Sequence, residues 1–174
     1  ALIEALGAPT VALAGHSMGA FAVLATAARV PEKVRGLALL GIGASFAVHP
    51  DLLSAARAND HLAYDLITSW GFGTAGHVGG HTSPGLWMMD GGVRLLERAP
   101  RDALYADLNA CDEFEGTLEL AAMVTCPALL LLGDRDRMTP PTTGQLADAI
   151  PDCRTVVLAG CGHMLMIEEP DKTT

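Results

Sequence analysis

A serine framed by glycines at G-x-S-x-G spacing, Gly15-His16-Ser17-Met18-Gly19, constrains the fold of this chain more than any other stretch. It comes directly after the apolar run Val11-Ala12-Leu13-Ala14, and an alanine-rich segment from Ala20 to Ala28 follows at once. Strand, sharp turn and helix in that order is the setting in which such a motif forms a nucleophile elbow. The turn holds the serine backbone in a strained conformation, and side chains at the flanking positions would collide with the neighbouring strand and helix. Glycine tolerates that geometry and that close approach. The hydroxyl of Ser17 then projects from the sheet edge, where the N-terminus of the next helix aims positive partial charge. A plain Gly-Ser turn in an ordinary strand-helix connection fits these five residues equally well. The downstream chain has to decide between the two.

A serine hydroxyl needs a base to take its proton, and the base needs an orienting carboxylate. The elbow geometry predicts both further along, acid first and histidine last. Pro127 to Leu132 reads as a fully buried strand, continuous in apolar residues as a parallel-sheet strand should be. It runs into Gly133-Asp134-Arg135-Asp136-Arg137-Met138-Thr139-Pro140. Acidic residues just past the carboxyl end of such a strand lie at the rim where open α/β sheets place their sites. A further strand, Arg154 to Leu158, ends in Ala159-Gly160-Cys161-Gly162-His163 and brings His163 to the same rim. Three reactive residue types, each after a separate strand and in the expected order, favour a triad of Ser17, an aspartate of the turn after Leu132 and His163.

These pieces resemble the α/β-hydrolase superfamily, in its branch of cofactor-free esterases, C–C hydrolases, peroxidase-like hydrolases and iminopeptidases with a helical cap. The matching residues are Gly15 to Gly19, the Gly133-x-x-Asp136-x-x-x-Pro140 turn, and Gly160-x-Gly162-His163 with Glu168-x-Pro170 after it. The resemblance implies that the acid is the aspartate four residues before the proline, Asp136. Asp134 is the competitor, and its alternative role is a turn carboxylate that accepts nearby backbone N–H groups. The implied fold is α/β: the C-terminal portion of an α/β-hydrolase, a mostly parallel sheet with about four strands and a helical cap insertion. Against that pattern the chain reads as truncated at both ends. Ala1 to Leu6 corresponds to the tail of the helix before the nucleophile strand, and Met164 to Thr174 to the start of the last helix. The strand at Val11–Ala14 is then expected to be an unprotected apolar edge. The oxyanion hole would keep the N–H of Met18 and lack its partner, a loss worth roughly 10²–10³ in turnover. A poor or inactive catalyst is expected of the chain alone.

Three segments follow: a core with the elbow at 1–44, a helical insertion at 45–125, and a core with the acid and histidine loops at 126–174. The insertion lacks buried-strand runs and shows helical patterning at Leu52 to Arg57, His61 to Trp70, Gly92 to Arg98 and Asp102 to Cys111. Its position matches the family's cap, which excludes water from the acyl pocket. Phe46, Trp70, Phe72, Trp87, Met88 and Met89 are candidate pocket walls, and packing within the fold accounts for each of them singly just as well. His77 and His81 stand at H-x-x-x-H spacing in the glycine-rich stretch Gly71 to Gly85. Glycines at 79 and 80 argue against the helix that metal ligation by this pair would need. Neither a metal nor a cofactor is expected.

Composition narrows the remaining classes. Half of the chain is hydrophobic and 18% is charged, as buried parallel strands require. A formal charge of −9 without a basic cluster argues against a nucleic-acid partner. No apolar run approaches the ~20 residues of a membrane span. Cys111, Cys126, Cys153 and Cys161 show no C-x-x-C pairing and read as reduced thiols of a cytoplasmic protein. The expected chemistry is acyl transfer on a small apolar substrate such as a carboxylic ester. Cleavage of a C–C bond, iminopeptidase action or perhydrolysis on the same triad, and a scaffold that binds without turnover, stay open at this point.

Overall fold

The computed structural model describes residues 2–81, 83–139 and 143–174. In chain order its elements are α1 (Leu2–Ala5), β1 (Val11–His16), α2 (Met18–Arg29), β2 (Val34–Leu40), α3 (Pro50–Ala58) and α4 (Leu62–Gly71). Then come α5 (Thr74–His77), α6 (Met88–Glu97), α7 (Ala103–Asp112), α8 (Thr117–Ala122) and β3 (Ala128–Gly133). The last are α9 (Thr143–Ala149), β4 (Cys153–Leu158), α10 (Leu165–Glu168) and α11 (Pro170–Thr173). The fold is therefore α/β, and each apolar run read as a strand forms one. No helix among the described residues is long and apolar enough to cross a membrane.

Residues divide between two compact units. The first comprises Ala1–Ser45, Glu115–Leu132 and Thr142–Val157 and carries the sheet, whose strand order is β1-β2-β3-β4. β1 runs parallel to β2 with Leu13 opposite Leu37, and β2 runs parallel to β3 with Leu39 opposite Leu130. Leu130, Leu131 and Leu132 are all buried, which is why β3 reads as one unbroken apolar stretch. β1 occupies an edge, and along it Ala12 and Ala14 are exposed. One face of the sheet is open as well. Ala12, Ala14, Leu37, Ala38, Leu129 and Arg154 are among the residues lining a shallow groove of about 490 Å³ there. Against β1 and β2 packs α2, which buries Ala20, Phe21, Leu24, Ala27 and Ala28. Alanines on that face let helix and sheet approach closely.

The second unit comprises Phe46–Phe114, Gly133–Pro141 and Leu158–Thr174. In it α3 packs on α4 and α7, and α4 on α6, over a core that includes Leu52, Ala56, Ala63, Ile67 and Leu108. Local chemistry sets the helix ends. Pro50 opens α3, where its fixed φ suits the first turn and its missing N–H costs nothing. Asn59 closes α3 in the left-handed conformation at φ 54°. Its side chain donates to Asp102 Oδ1 at 2.7 Å and accepts from the Asp102 N–H at 2.9 Å. Asp102, itself at φ 65°, precedes α7, so one reciprocal pair ends one helix and begins another. Patterning placed four of these helices to within a few residues: α3, α4, α6 and α7.

Candidate active site

Ser17 sits between β1 and α2 at φ 53°, ψ −123°. A non-glycine residue held at positive φ costs on the order of 1–3 kcal/mol and persists where the surroundings over-determine it. The Ser17 N–H donates to the Leu40 carbonyl at 2.9 Å, and its own carbonyl accepts the Ala20 N–H at 2.8 Å. Gly15 makes the turn sterically possible. A Cβ there would run into the carbonyl of Gly19 and lie 2.7 Å from a methyl of Val23. The expected crowding holds at Gly15 and not at Gly19, where a Cβ would meet no described atom within 4 Å. Met18 begins α2, so its N–H lies in the first turn, where the helix offers no carbonyl to receive it.

Asp136 and His163 come together in the second unit. His163 Nδ1 lies 2.8 Å from Asp136 Oδ2, and both side chains are almost wholly buried, at 1% and 2% exposure. The carboxylate is saturated with donors. Its Oδ1 accepts the N–H groups of Met138 (2.8 Å) and Thr139 (2.9 Å), and Oδ2 also accepts the Thr139 hydroxyl at 2.7 Å. Burial by itself pushes the Asp136 carboxyl up, but the His163 bond and charge and the two Thr139 donors outweigh it, and the net shift is downward. An ionised carboxylate facing Nδ1 requires a proton there, which makes Nε2 the basic nitrogen.

Backbone bonds lace the acid turn to the histidine loop. The Asp134 N–H donates to the Leu158 carbonyl and the Arg135 N–H to the Cys161 carbonyl, at 3.1 and 2.9 Å. Gly133 permits that approach, because a Cβ on it would strike the carbonyls of Cys161 and Gly162. Asp134 accepts the Gly160 N–H of the histidine loop at 2.7 Å. Pro140, the last residue of the acid motif, lies outside the described residues. Cys161 is buried, and burial pushes its thiol up to about 12, unsuited to nucleophilic work. All four cysteines are free.

The candidate pocket residues do not share one cavity. Phe46 and Trp70 line a space of about 550 Å³ with Val48, Leu52, Leu108 and Arg137. Phe72 lines another of about 480 Å³ beside Asp136 and Arg137. Trp87 and Met89 line a third of about 410 Å³ with His61 and Arg94, while Met88 is buried. The residues alternate in role because α6 turns its successive side chains to different surroundings. His77 reaches the Phe72 carbonyl at 3.2 Å, and His81 Nδ1 accepts the Ser83 N–H at 2.9 Å.

Sequence reasoning missed Thr139 and the loop at 71–73. Asp136-x-x-Thr139 carried a usable signal, since aspartate side chains commonly bond N–H groups two and three residues on. The role of position 71 carried none. Its carbonyl accepts both the His163 N–H (2.8 Å) and the Met164 N–H (3.1 Å) from far along the chain.

The chain is similar to known proteins over nearly all of its length. Residues 1–174 match the model of the Alpha/beta hydrolase family. Lipase 1 of Psychrobacter immobilis is 26% identical over 190 residues, a match that covers 99% of this chain and 56% of the lipase. A thermophilic esterase of known structure is 28% identical with a TM-score of 0.77, covering 94% of this chain and 62% of the esterase. A thermophilic esterase from Thermogutta terrifontis superposes with a TM-score of 0.81 at 22% identity, covering 99% and 65%. The chain thus spans a little over half of the lipase and under two thirds of either esterase. By the match over its full length, the chain belongs to the alpha/beta hydrolase family.

Proposed function

We propose that the protein is a serine hydrolase that cleaves carboxylic esters or related acyl compounds through Ser17, His163 and Asp136. The observation that carries this reading is the buried His163–Asp136 pair at 2.8 Å, with the carboxylate held by three further donors. An imidazole so oriented is built to accept a proton at Nε2. The strained elbow at Ser17 and the lipase and esterase among its relatives support the ester reading.

In the proposed reaction His163 Nε2 takes the proton of Ser17 as Oγ attacks the substrate carbonyl. The N–H of Met18, at the positive end of α2, donates to the developing oxyanion. The imidazolium, stabilised by Asp136, returns the proton to the leaving alkoxide. Water, deprotonated by the same nitrogen, then attacks the acyl-enzyme and frees Ser17. The helical insertion at 45–125 acts as the cap in this reading, and the apolar space around Phe46, Trp70 and Leu108 suits a small apolar acyl or alcohol group. Four free cysteines accord with a reducing cytoplasmic setting. In the full-length protein Ser17→Ala is expected to abolish hydrolysis of p-nitrophenyl esters and labelling by a fluorophosphonate probe. Retention of either by the variant would remove Ser17 from the nucleophile's role.

A further inference from the structure

Glu168 is a buried carboxylate, 8% exposed, that belongs to none of the roles assigned above. Removing such a group from water costs several kcal/mol unless strong donors compensate. Its donors are all backbone. Oε2 accepts the Gly73 N–H at 2.8 Å, and the two oxygens accept the Gly162 N–H at 3.0 and 3.1 Å. These two amides belong to strands of chain far apart in sequence, and Gly162 immediately precedes His163. The joint has no spare room. A Cβ on Gly162 would press on the Gly73 nitrogen and lie 2.8 Å from Glu168 Oε1. A Cβ on Gly73 would lie 2.6 Å from the Gly160 carbonyl and 2.9 Å from Glu168 Oε2. On the far side of the imidazole-bearing residue, the Gly71 carbonyl takes the N–H groups of His163 and Met164. The backbone is therefore gripped immediately before His163 by Glu168, which also holds Gly73, and at and after it by the Gly71 carbonyl. A space-filling role would be met by an apolar side chain at 168. Oε2 reaches both glycine amides and Oε1 reaches Gly162 a second time, so an N–H₂ in place of either oxygen would face a backbone N–H.

We propose that Glu168 is a positioning residue for His163: it fastens the histidine loop to the corner between α4 and α5 and so sets where the imidazole stands against Asp136. This rests on the serine-hydrolase reading for its kinetic consequence, but not for its structural one. Glu168→Gln keeps the volume and one acceptor oxygen, and turns an amide N–H₂ towards backbone N–H. In that variant kcat on a p-nitrophenyl ester is expected to fall about 10- to 100-fold, the scale of a small misplacement of a reacting group, with KM within about twofold. The low-field proton resonance of His163 Nδ1 should shift or broaden in parallel. Leu165→Ala, which removes a fully buried side chain from the same short helix, sets the effect of a purely structural loss and is expected to lower the melting temperature with kcat within about threefold. Gly73→Ala, which keeps the carboxylate but crowds it, should reproduce the kcat loss and serves if Glu168→Gln does not fold. The proposal is overturned if folded Glu168→Gln or Gly73→Ala keeps wild-type kcat and an unchanged resonance, or if Leu165→Ala loses kcat as severely. If the full-length wild type neither hydrolyses esters nor labels, the serine-hydrolase reading fails, while the resonance comparison still decides the role of Glu168.

Discussion

Asp136 stays charged in a place that excludes water because the donors around it outnumber what desolvation takes away. That balance has a sign in stability. A carboxyl whose folded pKa lies below its ordinary value of 3.8 stabilises the fold above that value and loses the contribution as pH falls through the depressed one. Chemical unfolding followed between pH 7 and 2 should therefore show wild-type stability dropping steeply below about 3.8. Asp136→Asn should begin lower at pH 7 and drop less over the same acid window. The same variant is expected to lose roughly 10⁴ in kcat on an ester substrate, since an asparagine can hold the imidazole in the wrong tautomer. Equal acid slopes for the two proteins would show that the pair contributes nothing in this range.

Among elements, the junction of β1 and α2 separates two glycines that look alike in the sequence. Gly15→Ala drives a Cβ into the Gly19 carbonyl and the Val23 methyl, and is expected to cost about 1–3 kcal/mol in urea unfolding. Gly19→Ala adds a methyl to open space in the first helical turn, and should leave stability unchanged or raise it by less than about 1 kcal/mol. Most of the architecture was legible beforehand for a simple reason. Each strand carries an apolar run, unbroken along 128–132 and shorter in the others, and α3, α4, α6 and α7 carry their periodicity in local sequence. The order serine, aspartate, histidine was legible because each residue follows a strand. What stayed hidden depends on pairings between distant positions. Glu168 meets Gly73 across 95 residues, and no local pattern announces that meeting. The pocket walls were hidden for a related reason: Trp87 and Met88 are adjacent in sequence but differ in burial, 56% exposed against 4%.

At the scale of the whole chain, the sheet formed by the described residues has β1 at one edge, with Ala12 and Ala14 exposed. An uncharged edge of this kind invites pairing with another chain, and lysine is a common natural deterrent. Ala14→Lys is expected to lower concentration-dependent light scattering of the 174-residue chain while leaving its melting temperature within about two degrees. Equal scattering from both proteins would place the adhesive surface elsewhere. The carbonyl of Gly71 has a consequence for protein engineering. Because the segment 46–114 contains the acceptor for the amide of His163, exchanging that segment for a relative's also replaces a contact that holds the histidine loop. A chimaera whose donor sequence carries a shorter or longer α4 would move His163 itself, so swaps should leave residues 71–73 in the recipient.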